Sequence, residues 1–237
     1  MTTWWPYARL AAAVLALAAI IAQLSRSIEN ALVATTEWGQ HLPTVAANFL
    51  SFFTILSNLL AAIVLIIAAI WALRHLHDGE REPNWLAVLL ACASTYMIVT
   101  GIVYNILLRG VVLPQGVTVP WSNEVLHVVI PLFLLADLLF APRRRALRWS
   151  AVAITTIFPI AWVVYTMIRA NLIIAPATGE AWWYPYPFLN PHLVPGGYFG
   201  VSAYIVGIAI AIVGVACIVV WVSRQRGAVI ASTSTTR

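Results

Sequence analysis

Six stretches of the chain are nearly free of charged residues: about 7–24, 46–73, 85–108, 122–141, 149–168 and 198–222. At 1.5 Å per residue, a helix of roughly 20 residues crosses about 30 Å of hydrocarbon. Backbone groups in lipid must bond within their own segment, so these runs predict helices. Short connections predict one compact bundle. The expected fold is all-α: a single six-helix transmembrane domain over residues 1–237, with 225–237 a disordered Ser/Thr-rich tail. The first run imitates a secretory leader, with one Arg before an apolar core. It lacks a clear small-x-small cleavage site, and Trp4, Trp5 and Tyr7 suit an interfacial belt, so it reads as a retained first helix.

The polar positions inside these runs are the informative ones. In the fourth run, WSNEVLHVVIPLFLLADLLF, Asn123, His127 and Pro131 follow one another at four-residue steps. Each step drifts only about 40° around a helix, so the three share a face. Pro131 has no N–H, which leaves the His127 carbonyl without its usual intrahelical partner. An ionisable side chain inside an apolar span marks a functional site by default. In the second run, Ser51, Ser57 and Asn58 lie within about 60° of Thr54 on a continuous helix. In the third, Thr100 and Tyr104 are i, i+4 neighbours. Counted along the helix axes, Thr54 lies roughly 15 Å from one face, His127 roughly 9 Å and Thr100–Tyr104 roughly 6–12 Å. All fall in the same half of the membrane. Above them sits the loop WWYPYPFLNPHLVPGG, whose prolines forbid regular helix and whose aromatics suit the headgroup layer. It is expected to be a semi-rigid aromatic lid or re-entrant segment.

Composition narrows the class. With 62% hydrophobic and 9% charged residues, this is not a soluble domain. A net charge of +5 is compatible with a nucleic-acid partner, but there is no lysine, and the arginines sort by loop. Arg9, Arg74, Arg81, Arg143, Arg144, Arg145, Arg148, Arg224, Arg226 and Arg237 fall on one side; Arg26, Arg109 and Arg169 fall on the other. The positive-inside rule then puts both termini in the cytoplasm and the polar half outside, in a multi-pass cell-membrane protein. No nucleic-acid partner is expected. The loop RHLHDGEREPN gathers His75, His77, Asp78, Glu80 and Glu82 without zinc spacing, and reads as a solvated mixed-charge turn. Asp137, about two turns before Arg143–Arg145, reads as an interfacial ion pair. Cys92 and Cys217 read as small buried hydrophobes, and no metal or cofactor is implied.

Serine, threonine and asparagine often join membrane helices at about 0.6 kcal/mol per contact, and Ser51, Ser57 and Asn58 taken singly fit that role. His127 invites more. A hydroxyl becomes a useful nucleophile when a neighbouring base takes its proton, and neutral imidazole is such a base. Thr54 and His127 make a minimal pair, with Asn123, Asn58 or Tyr104 to orient the imidazole or donate to an oxyanion. Two other classes stay open. One is a non-catalytic lipid or small-molecule carrier or structural bundle. The other is a b-type haem protein, for which only His127 lies well inside a span, His41 and His192 being in loops.

Three short motifs add to this reading: Phe52-Phe53-Thr54 near the outer end of run two, Asn123-x-x-x-His127 before an aliphatic stretch and Pro131, and Trp183 with Tyr186-Pro187-Phe188 after run five. In these the chain resembles the androgen-induced and androgen-dependent transmembrane proteins and their bacterial relatives, six-helix enzymes that hydrolyse fatty acid esters of hydroxy fatty acids. The resemblance covers run two to the loop after run five. The animal pattern sets the proline one residue later and has threonines where Val128 and Val129 stand. It implies that Thr54 is the nucleophile and His127 the base, that the substrate is a fatty-acyl ester from the bilayer, and that an apolar channel holds the acyl chain. Ser51, Thr100, Pro131, Trp183, Tyr186 and Phe188 are the expected pocket residues.

Overall fold

Each apolar run is helical in the computed structural model, which describes residues 3–76, 80–111 and 118–234, with side chains to 227. Helix α1 is Trp5–Leu32, α2 Leu42–Phe49, α3 Phe53–Arg74 and α4 Asn84–Val103. A π turn, Tyr104–Leu108, ends α4. Helix α5, Pro120–Glu124, passes through a second π turn, Val125–Val129, into α6, Ile130–Phe140. Helix α7 is Ser150–Ala170; a 3₁₀ turn, Pro187–Leu189, lies in the loop after it; and α8 is Tyr198–Ser234. Among the described residues there is no strand, and six spans are long and apolar enough to cross a membrane. The chain is a multi-pass membrane protein.

Two runs differ from expectation. The second is not one helix: α2 stops at Phe49, and α3 starts afresh at Phe53 after Phe52 adopts an extended conformation. The break contains no Pro or Gly and is flanked by aromatic packing. Phe52 lies edge-on to Trp183 and Tyr186, while Phe53 packs on Phe158 and Trp162. Two adjacent rings thus tie the start of α3 to the lid loop on one side and to α7 on the other, and these partners meet where Trp162 lies 6.0 Å from Tyr186. The Ser51 carbonyl at the break is satisfied by the Trp162 indole N–H at 2.9 Å. The sixth run forms α8, which continues to Ser234, through much of the Ser/Thr tail.

Helix α4 is the centre of the bundle, packing on α3, α6, α7 and α8. Its span is 67% buried, whereas those of α7 and α8 are 22% buried and leave most of their surface to lipid. Helix α1 lies against α3 along an alanine-rich seam that includes Ala13, Ala16, Ala61 and Ala62, all fully buried. Small side chains let membrane helices approach closely where no hydrophobic drive exists.

Far from Thr54 the bundle is tied by charge. Asp137 is fully buried and accepts hydrogen bonds from Arg9 Nε at 2.7 Å, Trp5 Nε1 at 2.6 Å and Arg144 at 2.9 Å. Arg144 also reaches Glu82 at 3.7 Å. The ion pair foreseen for Asp137 is therefore an enclosed network joining α1, α6 and the two loops beside them. Glu82 is 2% exposed and so is not part of a solvated turn. His75 stacks on Trp71; Glu80 is exposed; His77 and Asp78 lie outside the described residues.

Candidate active site

Thr54 and His127 are 73 residues apart, and the structure brings Thr54 Oγ1 to 3.2 Å from His127 Nε2. The break before α3 sets the first of these. Thr54 falls in the opening turn of a helix that begins inside the bundle, and it is 8% exposed. The N–H groups of Ile55 and Leu56 bond the Phe52 carbonyl. Those of Phe53 and Thr54 have no partner within the helix, as at any helix start. They turn to the Tyr186 hydroxyl, with Thr54 N at 3.2 Å from Tyr186 Oη.

The π turn sets the second. The His127 Nδ1 lies 2.8 Å from the Asn123 carbonyl, which can only accept, so Nδ1 carries the proton. In the neutral ring Nε2 is then an acceptor, and it faces the Thr54 hydroxyl. Tyr104 stacks on the imidazole with centroids 3.9 Å apart and planes at 24°. The Tyr104 hydroxyl in turn accepts from the Asn123 side-chain amide. Tyr104 and His127 each belong to a π turn, a bulge found often at functional sites.

The helix carrying His127 is held by a backbone device. In an α-helix the Leu126 carbonyl would accept from Ile130 N–H. Here Ile130 N–H reaches back to Val125, and the next residue is Pro131, which has no N–H. The orphaned Leu126 carbonyl accepts instead from Asn58 Nδ2 at 3.1 Å, and the same amide bonds the Thr54 carbonyl at 2.9 Å. The sequence pointed to the His127 carbonyl; the π turn moves the effect one residue back. Gly101 allows α4 close to this joint, since a Cβ there would lie 3.0 Å from Pro131 and 3.3 Å from the His127 carbonyl.

Several expected pocket roles change accordingly. Asn58 touches neither imidazole nor cavity and is a strut between the Thr54 and His127 helices. Asn123 and Tyr104 orient the ring rather than facing an oxyanion. Ser51 sits in the helix break, off the Thr54 face, and bonds the Ala47 carbonyl and the Tyr165 hydroxyl. Pro131 packs at the Gly101 joint. Glu124 points away, to Arg109 at 3.1 Å. Tyr186, Phe188, Thr100 and Trp183 do line cavities.

Loop 171–197 covers the site. Trp183 N–H bonds the Ala170 carbonyl, and Tyr184, Tyr186, Phe188 and Leu189 are buried beneath the loop. Burial pushes the Tyr186 phenol above its usual range, and its hydrogen bonds with the Thr54 hydroxyl and the N–H groups of the helix start pull it only partly back. It is therefore a neutral hydroxyl. With its oxygen accepting from the helix start, its own proton points to Thr54 Oγ1 at 3.3 Å. The groups form one directed series: Tyr186 O–H to Thr54 O–H to His127 Nε2, and His127 Nδ1–H to the Asn123 carbonyl.

Two cavities meet at Thr54, and a third adjoins one of them. One of about 370 Å³ brings in Gln23, Arg26 and Ser27 from α1 beside Asn123 and His127. Another, of about 150 Å³, is almost wholly apolar and lies between α4, α7, α8 and the lid. Thr54, Tyr104, Leu108 and Tyr186 border both. A third, of about 670 Å³, adjoins the first across Phe49 and Phe52 and is lined by Trp182, Trp183, Glu180 and His192. The part played by α1 escaped the sequence reading, although Gln23, Arg26 and Ser27 follow one another at helical spacing at the end of the first apolar run. Among the described residues no three His, Cys, Asp or Glu side chains gather as a metal site. Compared with known proteins, the chain matches no family model, no curated protein and no solved structure.

Proposed function

We propose that the protein is an integral-membrane lipid esterase that hydrolyses fatty-acyl esters through a threonine nucleophile. The observation that carries this is the 3.2 Å approach of Thr54 Oγ1 to an imidazole nitrogen left as acceptor by the bond of its other nitrogen to the Asn123 carbonyl. A buried hydroxyl beside a ring held in that tautomer is the arrangement acyl transfer needs. The resemblance to the androgen-induced and androgen-dependent transmembrane proteins leads to the same residues.

In the proposed reaction His127 Nε2 takes the Thr54 proton as Oγ1 attacks the ester carbonyl carbon. The carbonyl oxygen becomes an oxyanion, stabilised by the Tyr186 O–H at a helix start whose dipole favours negative charge. The intermediate collapses, the carbon–oxygen bond to the alcohol breaks, and His127 returns its proton to that alcohol. Water then attacks the acyl-threonine, giving a proton to His127. The bond to Thr54 breaks, Oγ1 regains its proton, and a carboxylic acid leaves. We place the site in the outer half of a bacterial plasma membrane, with both termini cytoplasmic, because the arginines crowd the opposite loops.

The test is hydrolysis of fatty acid esters of hydroxy fatty acids, and of 4-nitrophenyl octanoate, by the full chain in detergent. Thr54→Ala and His127→Ala should each lower kcat/KM at least about 10³-fold while the protein stays folded. Unchanged turnover in either would refute the assignment. A second reading, a lipid carrier without turnover, draws on the cavity of about 670 Å³ next to the site. It predicts stoichiometric lipid binding and no Thr54-dependent hydrolysis.

A further inference from the structure

We infer that the apolar cavity beside Thr54 is the acyl-chain site of this esterase and that the chain enters it sideways, between α7 and α8. The inference rests on the esterase reading for its chemistry and on the cavity's shape for its direction. An acyl carbonyl bound at Thr54 has two ways to orient its chain. Toward Arg26 and Gln23 the chain would strip water from polar groups; toward α8 it meets Val103, Val163, Ile205 and Ile208. Burying apolar carbon favours the second by about 25 cal/mol per Å² and leaves the polar cavity to the alcohol part. The substrate class is then an ester with an unbranched apolar acyl chain and a polar alcohol portion.

The cavity has a floor and an open side. Helices α4 and α7 run toward the Thr54 end and α8 runs away from it. The lining residues most distant from that end are therefore Val99, Pro159 and Ile212. The cavity's volume of about 150 Å³ takes a ligand of roughly benzene size, about six carbons. A longer chain must leave the enclosed part. The rim allows this at Ile160 on α7, which is 58% exposed, and at exposed Ala209 on α8. Both helices bury only 22% of their spans, so this rim faces the bilayer. The ester is thus drawn from the membrane with its tail still in lipid. The protein reads only the first carbons after the carbonyl.

The full chain in nanodiscs should hydrolyse 4-nitrophenyl esters with kcat/KM rising from acetate to about hexanoate and then levelling. Ala209→Trp, at an exposed position, fills the side opening. It should lower the ratio of kcat/KM for the palmitate ester to that for acetate at least tenfold. Val99→Phe raises the floor and should shift the plateau to shorter chains. An unvarying wild-type profile, or equal losses for palmitate and acetate in Ala209→Trp, would overturn the acyl-site inference while leaving the Thr54 chemistry standing. If no ester is turned over, Thr54→Ala protein and a fatty acid carrying a diazirine at carbon six give a separate reading. Crosslinks within 159–163 or 205–212 support the site, and crosslinks confined to other segments refute it.

Discussion

The phenol of Tyr186 does two jobs at the nucleophile. It satisfies backbone N–H groups at the start of α3, and it offers its own proton where an oxyanion would form. Tyr186→Phe keeps the ring between Phe52 and Phe188 but removes that donor. By analogy with other single oxyanion donors, kcat should fall about 10²–10³-fold with KM little changed, as steady-state kinetics would record. The pH dependence has a definite sign. Burial raises the folded pKa of this phenol above the value of about 10 for a free tyrosine. The neutral hydroxyl and the stability it brings persist below that value and are lost only as pH rises through the higher, folded one. A pH–rate profile should therefore show no alkaline decline assignable to tyrosine below about pH 10. Tyr186 was legible in the sequence as part of an aromatic lid. Its contact with Thr54, 132 residues away in sequence, was not, because it depends on the helix break before α3.

Among the elements, the joint between α5 and α6 aims the base. Asn58 supplies the hydrogen bond that the π turn and Pro131 deny to the Leu126 carbonyl. Asn58→Leu leaves that buried acceptor unpaired, a cost of about 1–3 kcal/mol, and frees the turn to relax. Activity should fall more than kcal-level destabilisation alone explains: kcat drops at least about tenfold in protein still folded at the assay temperature. Adding Pro131→Ala restores an N–H at residue 131, within reach of the orphaned carbonyl, and should recover part of both kcat and thermal stability. A double variant no better than Asn58→Leu would show that the strut does not act through this carbonyl. Here the limits of sequence reading have physical causes. Apolar length announces a span, and a lone histidine with Asn123 one turn earlier announces its face. The one-residue expansion of a π turn changes no composition. The break at residues 50–52 carries no Pro or Gly to announce it and is flanked by the packing of Phe52 on the lid and Phe53 on α7, so Ser51 left the face that helical spacing gave it.

Over the whole molecule, polarity is divided between two ends. One holds Thr54, His127 and the lid; the other holds Asp137 between Arg9 and Arg144. Asp137→Ala strands two buried guanidinium groups and should destabilise the fold by about 3–5 kcal/mol, read as a lower thermal midpoint in detergent. Since this end lies far from Thr54, the activity per folded molecule should persist. Loss of activity without loss of stability would mean the ends are coupled. Along the α1–α3 seam, Ala16→Leu overpacks a fully buried position and should cost about 1–3 kcal/mol in the same assay. The six spans were plain from hydrophobic length. The enclosure of Asp137 was not, because Arg9 lies 128 residues from it in sequence and only the packed bundle brings them together.

The most direct test is whether Thr54 is an activated nucleophile. The full chain in membranes is treated with a fluorophosphonate probe, and the labelled residue is mapped by mass spectrometry. The account predicts modification at Thr54, lost in Thr54→Ala and strongly reduced in His127→Ala, while Ser51→Ala and Ser57→Ala remain labelled. Labelling at Thr54 that is indifferent to His127, or labelling only at another residue, would contradict the proposed pair.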